Sequence, residues 1–196
     1  LADTAGSIGD VQVRNFGTIG GSLAHGDPAA DYPATLLALE SEIVAEGLRG
    51  RRTIQAEEFF TGVFRTALHP EEILVEVRVP VPPVGAGSAY LSFPHPASGF
   101  AVVGVAAVIT LDPKGACRRA RIGVTGVGPA PYRAKAVESL LTGKPLTDEL
   151  IAAASEHAAD GIEVNADLFA SAQYRGHLAG VYTKRAVHAA LESRQG

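Results

Sequence analysis

The stretch with the clearest chemical potential is Arg14-Asn15-Phe16-Gly17-Thr18-Ile19-Gly20-Gly21-Ser22-Leu23-Ala24-His25-Gly26-Asp27-Pro28-Ala29-Ala30-Asp31. Glycines carry no Cβ, so successive backbone N–H groups can converge on an anion, and Thr18 and Ser22 add hydroxyls. A diphosphate suits such a nest. On the residues alone, a plain Gly-Gly turn is the commoner reading of the same pattern. Two familiar phosphate loops are excluded, because no Gly-Lys-Ser/Thr follows and no strand–GxGxxG–helix unit is present.

Other reactive residue types are sparse. Cys117 stands near Lys114, Arg118 and Arg119 at the end of an expected hairpin and reads as an exposed thiol of lowered pKa. The basic set Arg118, Arg119 and Arg121 reads as a solvated face or a subunit contact. His95 lies between two prolines and His69 precedes Pro70, so both read as turn elements. No second His, Cys or carboxylate stands at metal-ligand spacing to any of them, so no metal is expected. No Gly-x-Ser-x-Gly elbow occurs, which leaves serine hydrolase chemistry without support.

Composition narrows the classes further. Of 196 residues, 46% are hydrophobic and 19% charged, which excludes a disordered chain. A net charge of −4 argues against binding by phosphate neutralisation. The single cysteine excludes an internal disulfide, and an iron–sulfur cluster held by this chain alone, since such clusters take about four ligands. The longest apolar run, residues 100–109, is about half of the roughly 20 residues that span a bilayer. No signal peptide is visible, and a cytoplasmic location is expected. The chain begins at Leu1 and contains no Met, which suggests a processed or truncated piece.

These residues must be held by short elements, because 22 glycines and 12 prolines punctuate the chain. Residues 6–26 read as loop. Tyr32–Glu40 reads as a helix capped by Asp31, with Leu36, Leu37 and Leu39 buried. Residues 43–45 and 53–54 read as short strands around the Gly47–Gly50 turn, and 57–62 as a helical turn carrying Phe59 and Phe60. In the strand 73–79, Val75, Val77 and Val79 share one face and Glu76 and Arg78 the other. The run Pro80-Val81-Pro82-Pro83 then breaks the chain, dividing residues 1–84 from 85–196. Residues 101–111 form a nearly unbroken apolar strand, expected to be central, and 120–127 return as its hairpin partner. Helices follow over 134–142, 148–160 (capped by Thr147) and 172–193, the last carrying Tyr174, Leu178, Val181 and Tyr182 at helical spacing. Strands and helices in blocks indicate an α+β fold.

The motif Asn15-x-Gly17-Thr18-Ile19-Gly20-Gly21-Ser22-Leu23-Ala24-His25-x-Asp27-Pro28-Ala29-Ala30-Asp31 resembles the second FAD-binding motif of the flavoprotein (medium) subunit of molybdenum hydroxylases. This family includes aerobic carbon monoxide dehydrogenase, with the FAD domain of xanthine dehydrogenase as a relative. Phe59-Phe60-x-Gly62, Thr66-Ala67-Leu68, Glu72-Ile73-Leu74 and Val79-Pro80 resemble the rest of that FAD domain. Tyr90 through Ala107, Gly126-Val127-Gly128, Arg133-Ala134, Tyr174-Arg175 and Lys184-Arg185-Ala186 resemble the family's C-terminal domain. The resemblance implies the remainder of a PCMH-type FAD-binding subdomain, an antiparallel sheet with helices, over 1–84. A smaller C-terminal domain, a three-stranded antiparallel sheet plus three helices, would fill 85–196. The family's first Gly-rich FAD loop has no counterpart in this sequence, so the chain resembles the subunit without its N-terminal FAD subdomain. Ser92 stands where members often carry a Lys near the flavin.

By resemblance, Thr18, Ile19, Gly20, Gly21 and Ser22 would bind the FAD diphosphate and Asp31 would accept hydrogen bonds from sugar or ribityl hydroxyls. Ile73 and Leu74 would pack near the isoalloxazine ring; ordinary strand burial explains the same two residues. Asp31 as a helix cap is compatible with its implied role. His25 reads as a proton donor to the flavin or a structural hydrogen-bonder. The resemblance implies an electron-transfer flavoprotein with no catalytic residue for substrate oxidation on this chain. Its partners would be a large molybdopterin subunit and a small subunit with 2Fe-2S clusters. A non-catalytic docking domain that does not hold FAD by itself is the alternative class, and a stand-alone flavin oxidase ranks behind both.

Overall fold

The computed structural model describes residues 1–195. Three short helices open the chain: α1 (Ala2–Ser7), α2 (Val11–Phe16) and α3 (Ile19–His25). This corrects the loop expected over residues 6–26. Local caps outweigh the glycines. The Asp10 carboxylate accepts from the Gln12 and Val13 amides at 2.8 and 3.1 Å, and the Thr18 hydroxyl accepts from Gly21 N at 3.0 Å. Each such cap is worth about 1 kcal/mol, comparable to the penalty of one helical glycine. Leu23 is fully buried, so tertiary packing adds to α3 what propensity withholds.

Helix α4 (Asp31–Ala38) follows after the Asp27-Pro28 corner. Ala30, not Asp31, is its N-cap, and the Asp31 carboxylate makes no capping bond. Leu36 and Leu37 are buried as expected, whereas Leu39 is only half-buried. The helix stops where Glu40 adopts φ +52, a left-handed turn closed by Ser41 N donating to Leu36 O at 3.0 Å.

Strands β1 (Glu42–Gly47) and β2 (Gly50–Gln55) form a hairpin; α5 (Ala56–Phe59) leads to the small pair β3 (Phe60–Gly62) and β4 (Arg65–Thr66), then to β5 (Ile73–Arg78). The sheet order is β2-β1-β5, all antiparallel. A bulge breaks the β1–β5 register: Val44 faces Glu76 while Ala45 faces Leu74. It shifts the side-chain phase by one, so Leu74 packs with Val77 and Val79 on the core, and Val75, expected with them, is 39% exposed.

The second sheet is β6 (Gly87–Pro94), β7 (Ala101–Leu111), β8 (Cys117–Thr125) and β9 (Tyr132–Arg133), antiparallel in that order. The expected three strands thus gain a two-residue fourth, paired on β8 as Gly123–Arg133 and Val124–Tyr132. Helices α6 (Lys135–Leu141), α7 (Asp148–Ser155) and α8 (Ala172–Glu192) follow. Helix α7 ends before the expected residue 160, giving way to turns. The buried stripe of α8 is Arg175, Leu178, Ala179, Thr183, Ala186, Val187 and Ala190, leaving Tyr174 exposed and Val181 and Tyr182 half-buried.

The apolar run of β7 is explained by burial on both faces. Val103, Val105, Ala107 and Ile109 join Ile122, Val124, Val137, Leu141, Ile151 and Val187 under α6–α8. Ala106, on the opposite face, packs against Ala34 and Ala38 of α4. A helix of the N-terminal half therefore covers the back of the C-terminal sheet. The approach is backbone to backbone: a Cβ on Gly123 of β8 would stand 2.0 Å from Ala34 O.

Candidate functional site

The Gly-rich motif is helix α3 and its flanks. Gly21 N is held by the Thr18 hydroxyl, and Ser22 N donates to Thr18 O at 3.0 Å. The amides of Ile19 and Gly20 belong to the first turn and have no acceptor within the helix. Two amides of this stretch are thus left without a protein acceptor. Neither Gly20 nor Gly21 puts a side chain over the turn; a Cβ at Gly21 would meet Thr18 Oγ1 at 2.9 Å, and one at Gly20 would touch Leu74 Cδ2 at 3.6 Å. Leu74 of β5 therefore stands beside Gly20, with Ile73 next to it and 69% exposed. Thr18–Ser22 and Ile73–Leu74, distant in sequence, meet on one surface. The segment from Gly17 to Gly26 contains no carboxylate, so nothing in it repels an anion.

Asp31 is placed differently. It is 6% exposed, and its Oδ1 accepts from Tyr90 Oη of β6 at 2.5 Å. Burial raises its pKa above the usual carboxylate value, partly opposed by the Tyr90 bond and a backbone N–H. Burial also pushes the Tyr90 phenol well above its ordinary value, with the neighbouring Asp31 charge adding to the effect. The proton therefore stays on Tyr90, and one carboxylate oxygen is already engaged.

The remaining candidates have plain surroundings. His25 is exposed, its ring 5.0 Å from that of Phe64. His95 Nδ1 accepts from Ala97 N at 3.2 Å, the turn role expected of it, and its ring lies 4.4 Å from Phe169. Cys117 is fully buried and its thiol pKa is raised by that burial, which overturns the exposed reactive thiol. Arg119 and Arg121 are engaged within the chain, both bonding the Glu40 carboxylate. Burial alone would raise the Glu40 pKa, but the two guanidinium groups hold it below the ordinary value.

Sequence reasoning did not single out Tyr90, Thr125 or Arg175 for a role; Tyr90 and Thr125 bond the corner between α3 and α4, and Arg175 bonds Gly126 beside Thr125. Thr125 Oγ1 stands 2.7 Å from Pro28 O and 2.8 Å from Ala30 O. Arg175 is 7% exposed, on the buried stripe of α8. A cation at an apolar position of a helical period was the available signal for it. Among the described residues, no group of three or more His, Cys, Asp or Glu gathers into a metal site, and no helix is long and apolar enough to cross a membrane.

Comparison with known proteins assigns the class. Residues 1–82 match the family model described as FAD binding domain in molybdopterin dehydrogenase. This segment belongs with the FAD-binding domains of the molybdopterin dehydrogenases. Residues 88–190 match the CO dehydrogenase flavoprotein C-terminal domain, and the chain belongs to that flavoprotein family. Among relatives, it is 39% identical over 191 residues to the 6-hydroxypseudooxynicotine dehydrogenase complex subunit alpha of Paenarthrobacter nicotinovorans, covering 97% of this chain and 64% of that protein. It is 40% identical over 190 residues to the carbon monoxide dehydrogenase medium chain of Hydrogenophaga pseudoflava, covering 97% of this chain and 66% of that one. The chain thus spans just under two-thirds of the length of these curated relatives. Among solved structures, carbon monoxide dehydrogenase from H. pseudoflava superposes with a TM-score of 0.93 at 42% identity, covering 98% of this chain and 67% of that one. Quinoline 2-oxidoreductase from Pseudomonas putida 86 gives 0.89 at 29% identity, covering 99% and 67%.

Proposed function

We propose that this chain is the greater part of the FAD-holding medium subunit of a molybdenum hydroxylase complex, an oxidoreductase of the cytoplasm. The match of residues 1–82 to an FAD-binding domain carries this reading, because that segment contains both halves of the surface described above. Bound FAD would supply the redox centre between 2Fe-2S clusters on a small subunit and an external acceptor. Substrate oxidation would belong to a large molybdopterin subunit. That one relative is a subunit of a dehydrogenase complex and another a medium chain supports such partners.

In this reading the Ile19 and Gly20 amides donate to the diphosphate, Thr18 and Ser22 flank it with hydroxyls, and Gly21 keeps the turn open. Ile73 and Leu74 present an apolar edge to the isoalloxazine ring and exclude water there. Asp31 accepts from a sugar or ribityl hydroxyl through whatever capacity Tyr90 leaves it. Residues 1–84 form the second FAD-binding subdomain and 85–196 the C-terminal domain, a division supported by the exposed run from Pro80 to Gly85.

The reading is tested by recording the absorption spectrum of the purified complex. Flavin bands and FAD released on denaturation are expected; their absence overturns it. Titration of FAD into this 196-residue chain then separates a working cradle from a docking domain: saturable binding supports the former, a flat calorimetric trace the latter.

A further inference from the structure

The guanidinium of Arg175 reaches from α8 through the end of the second sheet. Nη1 donates to Val102 O at 2.7 Å and to Gly126 O at 2.9 Å, and Nη2 pairs with the Asp167 carboxylate. Asp167 is itself fixed, accepting from the Phe169 and Ala170 amides at 2.9 and 2.8 Å. Arg175 Nε is buried with no partner, so the side chain is committed to these contacts without satisfying every donor.

The next link is Gly126. Its φ of +82 suits glycine, and a Cβ there would lie 2.5 Å from Val102 O and 2.6 Å from Ala101 O. One cation thus bridges two carbonyls that the left-handed turn brings together. Without it, the two buried carbonyls would lose their shared charged donor, and the turn at Gly126 would shift. That shift would be felt beyond the sheet, because Gly126 N, in the preceding peptide unit, donates to Pro28 O at 2.7 Å. The adjacent Thr125 hydroxyl stands between Pro28 O and Ala30 O. Pro28 to Ala30 is the corner that sets how α3 enters α4. Tyr90 holds Asp31 on the next residue.

We propose that Arg175 is a positioning residue for the flavin cradle, acting through Gly126 and Thr125 on the Pro28–Asp31 corner. The inference rests on the reading that α3 and its flanks hold FAD. It adds a device by which a helix of the C-terminal domain sets the cradle's geometry.

The test uses the complete subunit and four variants: Arg175→Gln, Arg175→Lys, Thr125→Val and Thr125→Ser. Thr125→Val keeps the shape and removes only the hydroxyl. The FAD dissociation constant is read by flavin fluorescence, and amide hydrogen exchange is followed at residues 26–31 and across β7 and β8. Arg175→Gln and Thr125→Val are each expected to weaken FAD binding about tenfold and to speed exchange at 26–31 while the sheet stays protected. Arg175→Lys and Thr125→Ser are expected to recover most of the affinity. If Arg175→Gln fails to fold, Thr125→Val decides. Either Arg175→Gln or Thr125→Val binding FAD within twofold of the parent, with exchange at 26–31 unchanged, overturns the inference. A parent subunit that does not bind FAD overturns the reading beneath it instead.

Discussion

Replacing Gly123 by alanine tests the contact that joins the two halves. The added Cβ would lie 2.0 Å from Ala34 O, 2.8 Å from Ala34 C and 3.2 Å from Ala34 Cα. Ordinary contact begins near 3.4 Å, so α4 must retreat from β8 by roughly 1.4 Å, the difference from 2.0 Å. All three atoms are backbone, and no rotamer change relieves the clash. The retreat opens the packing of Ala34 and Ala38 on Ala106 and stretches the Thr125 bonds to Pro28 and Ala30. Overpacking of this kind costs about 1–3 kcal/mol, and the lost bonds place the expected value near the top, about 3 kcal/mol. For a chain of this length that corresponds to a fall in Tm of roughly 6–12 °C. The assay is thermal and urea unfolding followed by circular dichroism. Gly176→Ala in α8 is the control: it meets nothing within 4 Å. It should gain about 0.5–1 kcal/mol from helix propensity. A Gly123→Ala protein melting within about 2 °C of the parent would refute the close-packing argument.

Three further outcomes follow from the charged and buried groups. Glu72 is held to a pKa of about 2, against an ordinary 4.5, by the Arg52 guanidinium first and the His69 amide second. Its stabilising contribution is present above pH 4.5 and lost as pH falls toward 2, so Glu72→Gln should flatten the acid limb of stability between those values. Asp31 has the opposite sign: its folded pKa is raised by burial, so its contribution is fully present below pH 3.8 and lost as pH rises through the folded value. Asp31→Asn keeps an acceptor for Tyr90 and should raise Tm at pH 8, the gain vanishing below pH 3.8; a lower Tm at pH 8 would count against the burial argument. Cys117 should resist an aromatic disulfide reagent in the folded chain and react in denaturant, and rapid labelling of native protein would contradict its burial.

How much was readable from residue order depended on whether the deciding partner was local. The central strand β7 was legible because burial on both faces leaves an apolar run that needs no other information. Helix α3 was hidden by its glycines, since what sustains it is one threonine hydroxyl and the burial of Leu23. The inward face of β5 was misassigned because a bulge depends on the register with β1, which alternation within β5 cannot reveal. Asp31 looked like a cap, yet its partner Tyr90 is 59 positions away. The motif resemblance picked out Thr18–Ser22 and Ile73–Leu74 separately, and only folding shows that Gly20 and Leu74 are neighbours. Arg175 carried its own signal, a charge on an apolar helical stripe, but its target carbonyls could not be inferred from spacing.

The position of α4 means that the order of the chain and the partition of space disagree. Were a protease to nick the proline-rich connector, the two pieces would be expected to co-elute, because one still roofs the underside of the other's sheet through Ala34, Ala38 and Ala106. Expressed apart, each piece would expose a flat alanine-lined face and should regain solubility when mixed with its complement. A chimera that exchanged its halves with those of a relative would have to carry that seam along with them.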